Sequence, residues 1–597
     1  MFSAALNPTA VAIGILALGA TLFAEPAWIK ESNQNAEVLL KVIAEFSPEV
    51  ADHLGVQGLD EEICDLRPHL YERSLKAMKE ASEELKTRLD HAQDPRICQD
   101  LEILIQAAEE ACHTAELEHQ YMLPYFDIAE TEFTGIRYLI DPQIPKERQA
   151  AAVVRLRKYA GMGGQPLTQL AEQQSTARLS NTKLIGPYVE EVKRSLANTD
   201  TYLEGIRDLF TNSGLQGWEE PYAQLSQQLH DYDDWVNKNI LPRARTDHRL
   251  PEPIYADRLH QVGVDISPEH LMGIAQFSFS EIQHQMEALA PLVAKEKGYA
   301  SHDYRDVIRE LKQKQIQGEE ILPFYKQRLA EIEEIIRTQH IVTLPDREAR
   351  IRLASLAETA AVPSPHMIAP PLVGNTGQYG EFVLPLDLPS DEGMPAVKLD
   401  DFAFDAAAWT LTAHEARPGH ELQFASIVEQ GTSIARTIFA RTSVNTEGWA
   451  LYAEAEMQPY EPLDGQLITL QLRLHRAARA FLDPMVNLGM IEPDQARAFL
   501  EREVALSPTW AKQDVQRYMF MAPGQATSYF YGYMRLMQLR GETEVLLGTQ
   551  FNRQKFNDFI LTQGLLPPDL LKKAVKEEFV PSQRISQYAD PQLTTHQ

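Results

Sequence analysis

The 597-residue chain is 44% hydrophobic and 24% charged, the balance of a soluble globular protein rather than a disordered or fibrous one. Its 56 basic residues face 85 acidic ones, a formal net charge of −29 with no dense Lys/Arg run, which excludes a nucleic-acid backbone as partner. The length accommodates several domains or one large two-lobed enzyme.

Near the start, residues 11–24 read VAIGILALGATLFA, too short for a stable membrane span but of the length of a signal-peptide core. No Lys or Arg occurs in the first ten residues, so the usual basic leader is missing. We read residues 1–24 as a signal peptide and the protein as exported, periplasmic or secreted. The alternative is a buried N-terminal helix in a cytoplasmic protein. Cys64, Cys98 and Cys112 are too few and too irregularly spaced for a disulfide framework or a thiolate zinc site. An exported chain has one bridge open to it, Cys98–Cys112, and three buried thiols are the other reading.

From residue 25 to about 260 the pattern is helical: NQNAEVLLKVIAEF, YERSLKAMKEASEELKTRL, ICQDLEILIQAAEEACHTAELEH, YVEEVKRSLANTDTYLEGIRDLF and YAQLSQQLHDYDDWVNKNI space apolar residues three and four apart. Pro/Gly breaks at Ser47, Gly161 and Leu250 separate them. Ser267-Pro268-Glu269 reads as an N-cap followed by Pro at the first helical position, and a second lobe, residues 261–597, is expected to carry the chemistry. The clearest strand is GQYGEFVLPL at 377–386, about thirty residues before His414. An unpaired strand edge there would hold an extended peptide by main-chain hydrogen bonds along Tyr379 to Pro385. His366, in VPSPHMIAPP, is read as structural.

The stretch AWTLTAHEARPGHELQ opens like the zinc-peptidase pattern HExxH, in which two His one helical turn apart face one ion, but here the second histidine is His420, six residues after His414. In a regular helix those two side chains would diverge by roughly 120°. Pro418 lacks an N–H and Gly419 tolerates distorted dihedrals, so a two-residue bulge at this pair is expected to return His420 to the side of His414. Downstream, NTEGWALYAEAE places Glu447 at the start of a helical run, as a carboxylate ligand from a second helix would be. Glu454, seven residues on and almost on the same face, is positioned to orient a ligand.

HEARPGHELQ, TEGWALYAE and RYMFMAPGQATSYFYGYMRLMQLR resemble, in order, the signature blocks of the bacterial proteins grouped as domain of unknown function 885. That family's usual pattern is HExxPGHHLQ, VEGWALYAE and RYxxxPGQALSYxxG. The correspondence runs over residues 400–570, with weaker similarity at GVDISPEHL. The family is placed with glutamate-liganded metallopeptidases. The resemblance therefore implies a mainly α, two-lobed metallopeptidase-like fold with a small edge β-element before the active-site helix. It also implies one zinc ion per chain held by His414, His420 and Glu447, with Glu415 as the base that takes a proton from the attacking water. Tyr529, then Tyr531, is the candidate donor to a developing oxyanion, and Arg517 the candidate partner of the substrate's carboxylate or carbonyl; ordinary helix packing competes for all three.

Two departures matter. Glu421 stands where the family has a second consecutive histidine, so Glu421 is the alternative ligand should that position hold the metal. Asn445-Thr446 precede Glu447 where Val is frequent. Arg473, His475, Arg476 and Arg479 form a basic cluster, read chiefly as ion-paired with acidic helices and otherwise as a peptide-carboxylate site. The expected function is a zinc metallopeptidase cleaving short peptides. A zinc hydrolase or lyase of non-peptide amides and a non-catalytic helical binding protein are the competing readings.

Overall fold

A computed structural model describes residues 26–385, 387–388, 397–398 and 400–585; the expected leader at 1–24 lies outside the described residues. The apolar spacing of the first half resolves into α1 (Ala27–Phe46), α2 (Leu70–Leu89), α3 (Pro95–Tyr121), α4 (Val189–Ser213) and α5 (Glu219–Asn239). Asp94 caps α3 through the Arg96 N–H, with Pro95 at the first helical position where no N–H is needed. Ser267 caps α6 (Pro268–Lys297) by accepting from the His270 N–H, as its Ser-Pro-Glu start predicts. The Cys98–Cys112 reading fails: both lie on α3, about 21 Å apart along its axis at 1.5 Å per residue, and all three cysteines are free.

Two large apolar clusters organise the interior. One gathers buried side chains from Leu66 to Ile240 and is joined by Ala357 and Ala360. The other runs from Tyr255 to Tyr531. A smaller cluster of α1, α2 and α3 side chains includes Ala435, and beside it a buried Arg436–Asp100 ion pair at 2.8 Å ties the N-terminal helices to the second half.

The small sheet comprises β1 (Arg350–Leu353), β2 (His366–Ile368) and β3 (Glu381–Leu384) in the order β1-β3-β2, with β1 parallel and β2 antiparallel to β3. The expected strand is therefore the central one, which corrects the peptide-docking expectation. Both edges of β3 are paired, and the Gln143 side chain satisfies the N–H of Tyr379 at 2.7 Å and its carbonyl at 3.2 Å. Among the described residues the unpaired edges of this sheet belong to β1 and β2.

The second half supplies α7 (Asp405–Leu411), α8 (His420–Gln430), α9 (Ser443–Met457), α10 (Leu463–Asn487) and α11 (Ser528–Leu547). The α6–α10 and α9–α11 pairs are the most extensive helix packings. In α10 nearly every residue is buried around the full circumference, so its charged side chains must find partners inside the protein. Among the described residues no helix is long and apolar enough to cross a membrane.

Candidate metal centre

His414 lies on a π-helical turn, Thr412–Ala416, that continues α7 and is backed by β2 and β3. The bend differs from the bulge expected within one helix. Arg417 is extended (φ −126°, ψ 135°), the Arg417–Pro418 peptide is cis, and a separate helix, α8, starts at His420. Proline's restriction of its predecessor to extended backbone accounts for the break. Glycine is required at 419, since a Cβ there would sit 1.9 Å from the His414 carbonyl oxygen and 2.4 Å from that of Ala413. The Trp449 indole N–H, from α9, donates to the Pro418 carbonyl at 3.0 Å.

This break brings the two imidazoles together, edge to face, with ring centres 4.8 Å apart. Glu447 enters from the second turn of α9, and one ligand atom each from His414, His420 and Glu447 fall within 4.8 Å of one another. Glu447 Oε2 stands 3.4 Å from His414 Nε2 and 3.3 Å from His420 Nε2. That oxygen is buried and makes no hydrogen bond among the described residues. Donors about 2.0–2.2 Å from a tetrahedral ion are separated by about 3.3–3.6 Å, and two imidazoles with one carboxylate form a hydrolytic zinc set. The three residues present fit such an ion.

The surroundings favour a cation. Burial opposes charge on His414, but Glu415, Glu447 and Glu454 outweigh it and push the imidazole up to about 10. Burial likewise raises Glu447, yet His420 and His414 hold its carboxyl well below the usual range. Glu454, fully buried on α9, accepts from His414 Nδ1 at 2.6 Å and from the Thr410 hydroxyl at 2.8 Å. A proton kept on Nδ1 leaves Nε2 of His414 free to ligate. The Glu454 contact with His414 agrees with its expected position, whereas Thr410 adds a partner that its place four residues before His414, on the same helical face, could have signalled.

Glu415 is buried beside the cluster, with Oε1 3.9 Å from His414 Nε2, and desolvation raises its carboxyl above the ordinary range. Glu421 is turned away: Arg417 Nε donates to its carboxylate at 2.7 Å, which leaves His420 as the residue of this pair facing the cluster.

Tyr529 and Tyr531 separate. The Tyr529 ring stacks 6.3 Å from that of His414, and its hydroxyl accepts from Arg517 Nη1 at 3.3 Å. Arg517 also donates to Gln525 at 3.0 Å, so it belongs to the shell around Tyr529. Tyr531, two residues along α11, donates to Asp265 and accepts from Arg535 at 2.7 Å. Two residues turn a helical side chain by roughly 200°, which puts Tyr531 on the opposite face and corrects its candidacy. The basic cluster of α10 is mostly ion-paired or capped, as expected. Asp514 binds His475 at 2.8 Å and Arg479 Nε at 2.9 Å, and Arg473 donates to Gln458 at 2.8 Å. His366 bonds the Ser364 carbonyl at 2.9 Å in β2, a structural role.

Two solved structures are similar in fold. One, described as "the putative lipoprotein from Colwellia psychrerythraea", is 18% identical, with a TM-score of 0.73 over 93% of this chain and 100% of the other. The second, "a putative lipoprotein of unknown function from Shewanella oneidensis", is 18% identical with a TM-score of 0.69 and the same coverage. No curated protein matches the sequence. The family pattern described as "Bacterial protein of unknown function (DUF885)" matches residues 48–575, nearly the whole described chain, and with the motif blocks meeting at one centre this chain belongs to that family.

Proposed function

We propose that this protein is a zinc-dependent hydrolase, a metallopeptidase of short peptides with one zinc ion per chain. The observation that carries the reading is the convergence of His414, His420 and Glu447 around an orphaned buried oxygen, with the Glu415 carboxylate alongside. Bound there, zinc supplies Lewis acidity sufficient to lower the pKa of water to about 7. Glu415 accepts the proton of the attacking water and delivers it to the leaving amine. Tyr529 supports the developing negative charge: its hydroxyl already accepts from Arg517, so its own proton is free to point at the scissile carbonyl. Export is part of the proposal, supported by the apolar run at residues 11–24 and in keeping with the lipoprotein descriptions of both structural relatives.

Elemental analysis of purified protein and mass-spectrometric profiling of a peptide library, with and without a chelator, test this reading. The expected result is about one zinc per chain and chelator-sensitive cleavage. Zinc without peptide cleavage would move the substrate to a non-peptide amide, and a metal-free, inactive protein would sink the proposal. Glu454→Ala is expected to weaken zinc binding about 10- to 100-fold, measured by competition with a chromogenic chelator, because it frees His414 to rotate and change tautomer. An unaltered affinity would make Glu454 a buried packing partner only.

A further inference from the structure

The cations of α10 are not equally engaged. His475 and Arg479 share Asp514, and Arg473 reaches Gln458 and lies over the Tyr533 ring. Arg476, one turn from Arg473 and Arg479 and next to His475 in sequence, is 4% exposed, and among the described residues its Nε and Nη1 are buried with no acceptor. A guanidinium withdrawn from water without a carboxylate is unfavourable to the fold and is retained where a ligand completes it. The neighbours of Arg476 are those of the metal centre. Its guanidinium carbon lies 5.7 Å from the centre of the Tyr529 ring, and its charge acts on Glu415 and Glu454. Arg517, which donates to the Tyr529 hydroxyl, also has no carboxylate partner among the described residues. With a divalent ion in place, the carboxylates of Glu415, Glu447 and Glu454 leave these two arginines with one positive charge in excess.

We propose that Arg476 is the substrate-anchoring residue and takes a free carboxylate, so that the protein acts at the C-terminal end of short peptides rather than within longer chains. The planar fork of a guanidinium matches a carboxylate through two parallel hydrogen bonds, whereas a neutral carbonyl would leave the buried charge uncompensated. This assignment rests on the hydrolase reading for the identity of the substrate, but the carboxylate site itself is measurable without turnover.

The probes are the N-acetyl derivatives of alanine, leucine, phenylalanine, lysine and glutamate, each as free acid and as C-terminal amide. Each is titrated calorimetrically into the zinc-loaded full chain and into its Arg476→Gln and Arg476→Lys variants. The wild type is expected to bind at least one acid tenfold or more tighter than its amide. Arg476→Gln is expected to abolish that preference with amide affinity unchanged, and Arg476→Lys to keep part of it. Equal binding of acid and amide, a preference that survives Arg476→Gln, or no acid binding at millimolar concentration overturns the proposal. The thermal midpoint of Arg476→Gln is expected to equal or exceed that of the wild type, because an unpaired buried charge is removed; a lowered midpoint would mark Arg476 as structural and also overturn it. Acid-selective binding without peptide cleavage would sink the peptidase reading alone, and efficient cleavage of amide-capped peptides would sink this inference alone.

Discussion

Glu415→Gln is expected to keep one zinc per chain and to lose about 10²- to 10⁴-fold in turnover, the range attributed to a positioned general base. The carboxylate stands beside the candidate metal-binding trio and outside it, so replacing it with an amide removes the proposed proton acceptor while the donor atoms of His414, His420 and Glu447 stay in place. Elemental analysis and initial-rate measurements on the same preparation read both halves of the expectation. Loss of zinc from this variant would mean that Glu415 is a ligand, and full activity would remove it from the chemistry. His420→Ala is expected to give the opposite signature, loss of the metal itself.

Gly532→Ala is expected to destabilise the protein by about 1–3 kcal/mol or more, the range for forcing a methyl group into a filled interior. A Cβ at 532 would lie 1.9 Å from the Val444 carbonyl oxygen and 2.8 Å from Gly448 Cα, both on α9, so the two helices would have to separate. Glu447 precedes Gly448, and its oxygen must stay 3.3–3.4 Å from both imidazole nitrogens for the centre to persist. The same substitution is therefore expected to weaken zinc binding as well. Chemical denaturation and chelator competition measure the two effects. Gly541→Ala, on the same helix with open space around it, is the control, expected to be neutral or stabilising by up to about 1 kcal/mol. Equal behaviour of the two variants would show that the close contact of α9 and α11 does not hold the site together.

Helix periodicity, the cap at Ser267, the family motifs and the identities of the converging residues were all legible along the chain, because apolar spacing, capping chemistry and short motifs are properties of neighbours in sequence. The departures have a common cause. The spacing of His414 and His420 announced a distortion, expected as a bulge, but not the break between two helices, which depends on the Gly419 backbone lying against His414 and on Trp449 taking up a freed carbonyl. Whether His420 or Glu421 faces the centre was settled by Arg417, which captures Glu421.

What the sequence by itself determined is a mainly helical member of its family with a histidine pair and a distant glutamate suited to one cation. Only the tertiary structure decided which edges of the sheet are unpaired, which of Tyr529 and Tyr531 stands by the imidazoles, and which α10 cation is left without an acceptor. Those outcomes depend on contacts between residues tens to hundreds of positions apart, such as Asp514 with Arg479 and Asp265 with Tyr531. Local patterning sets which face of an element is apolar, whereas partners for buried charge are assigned only when the elements pack.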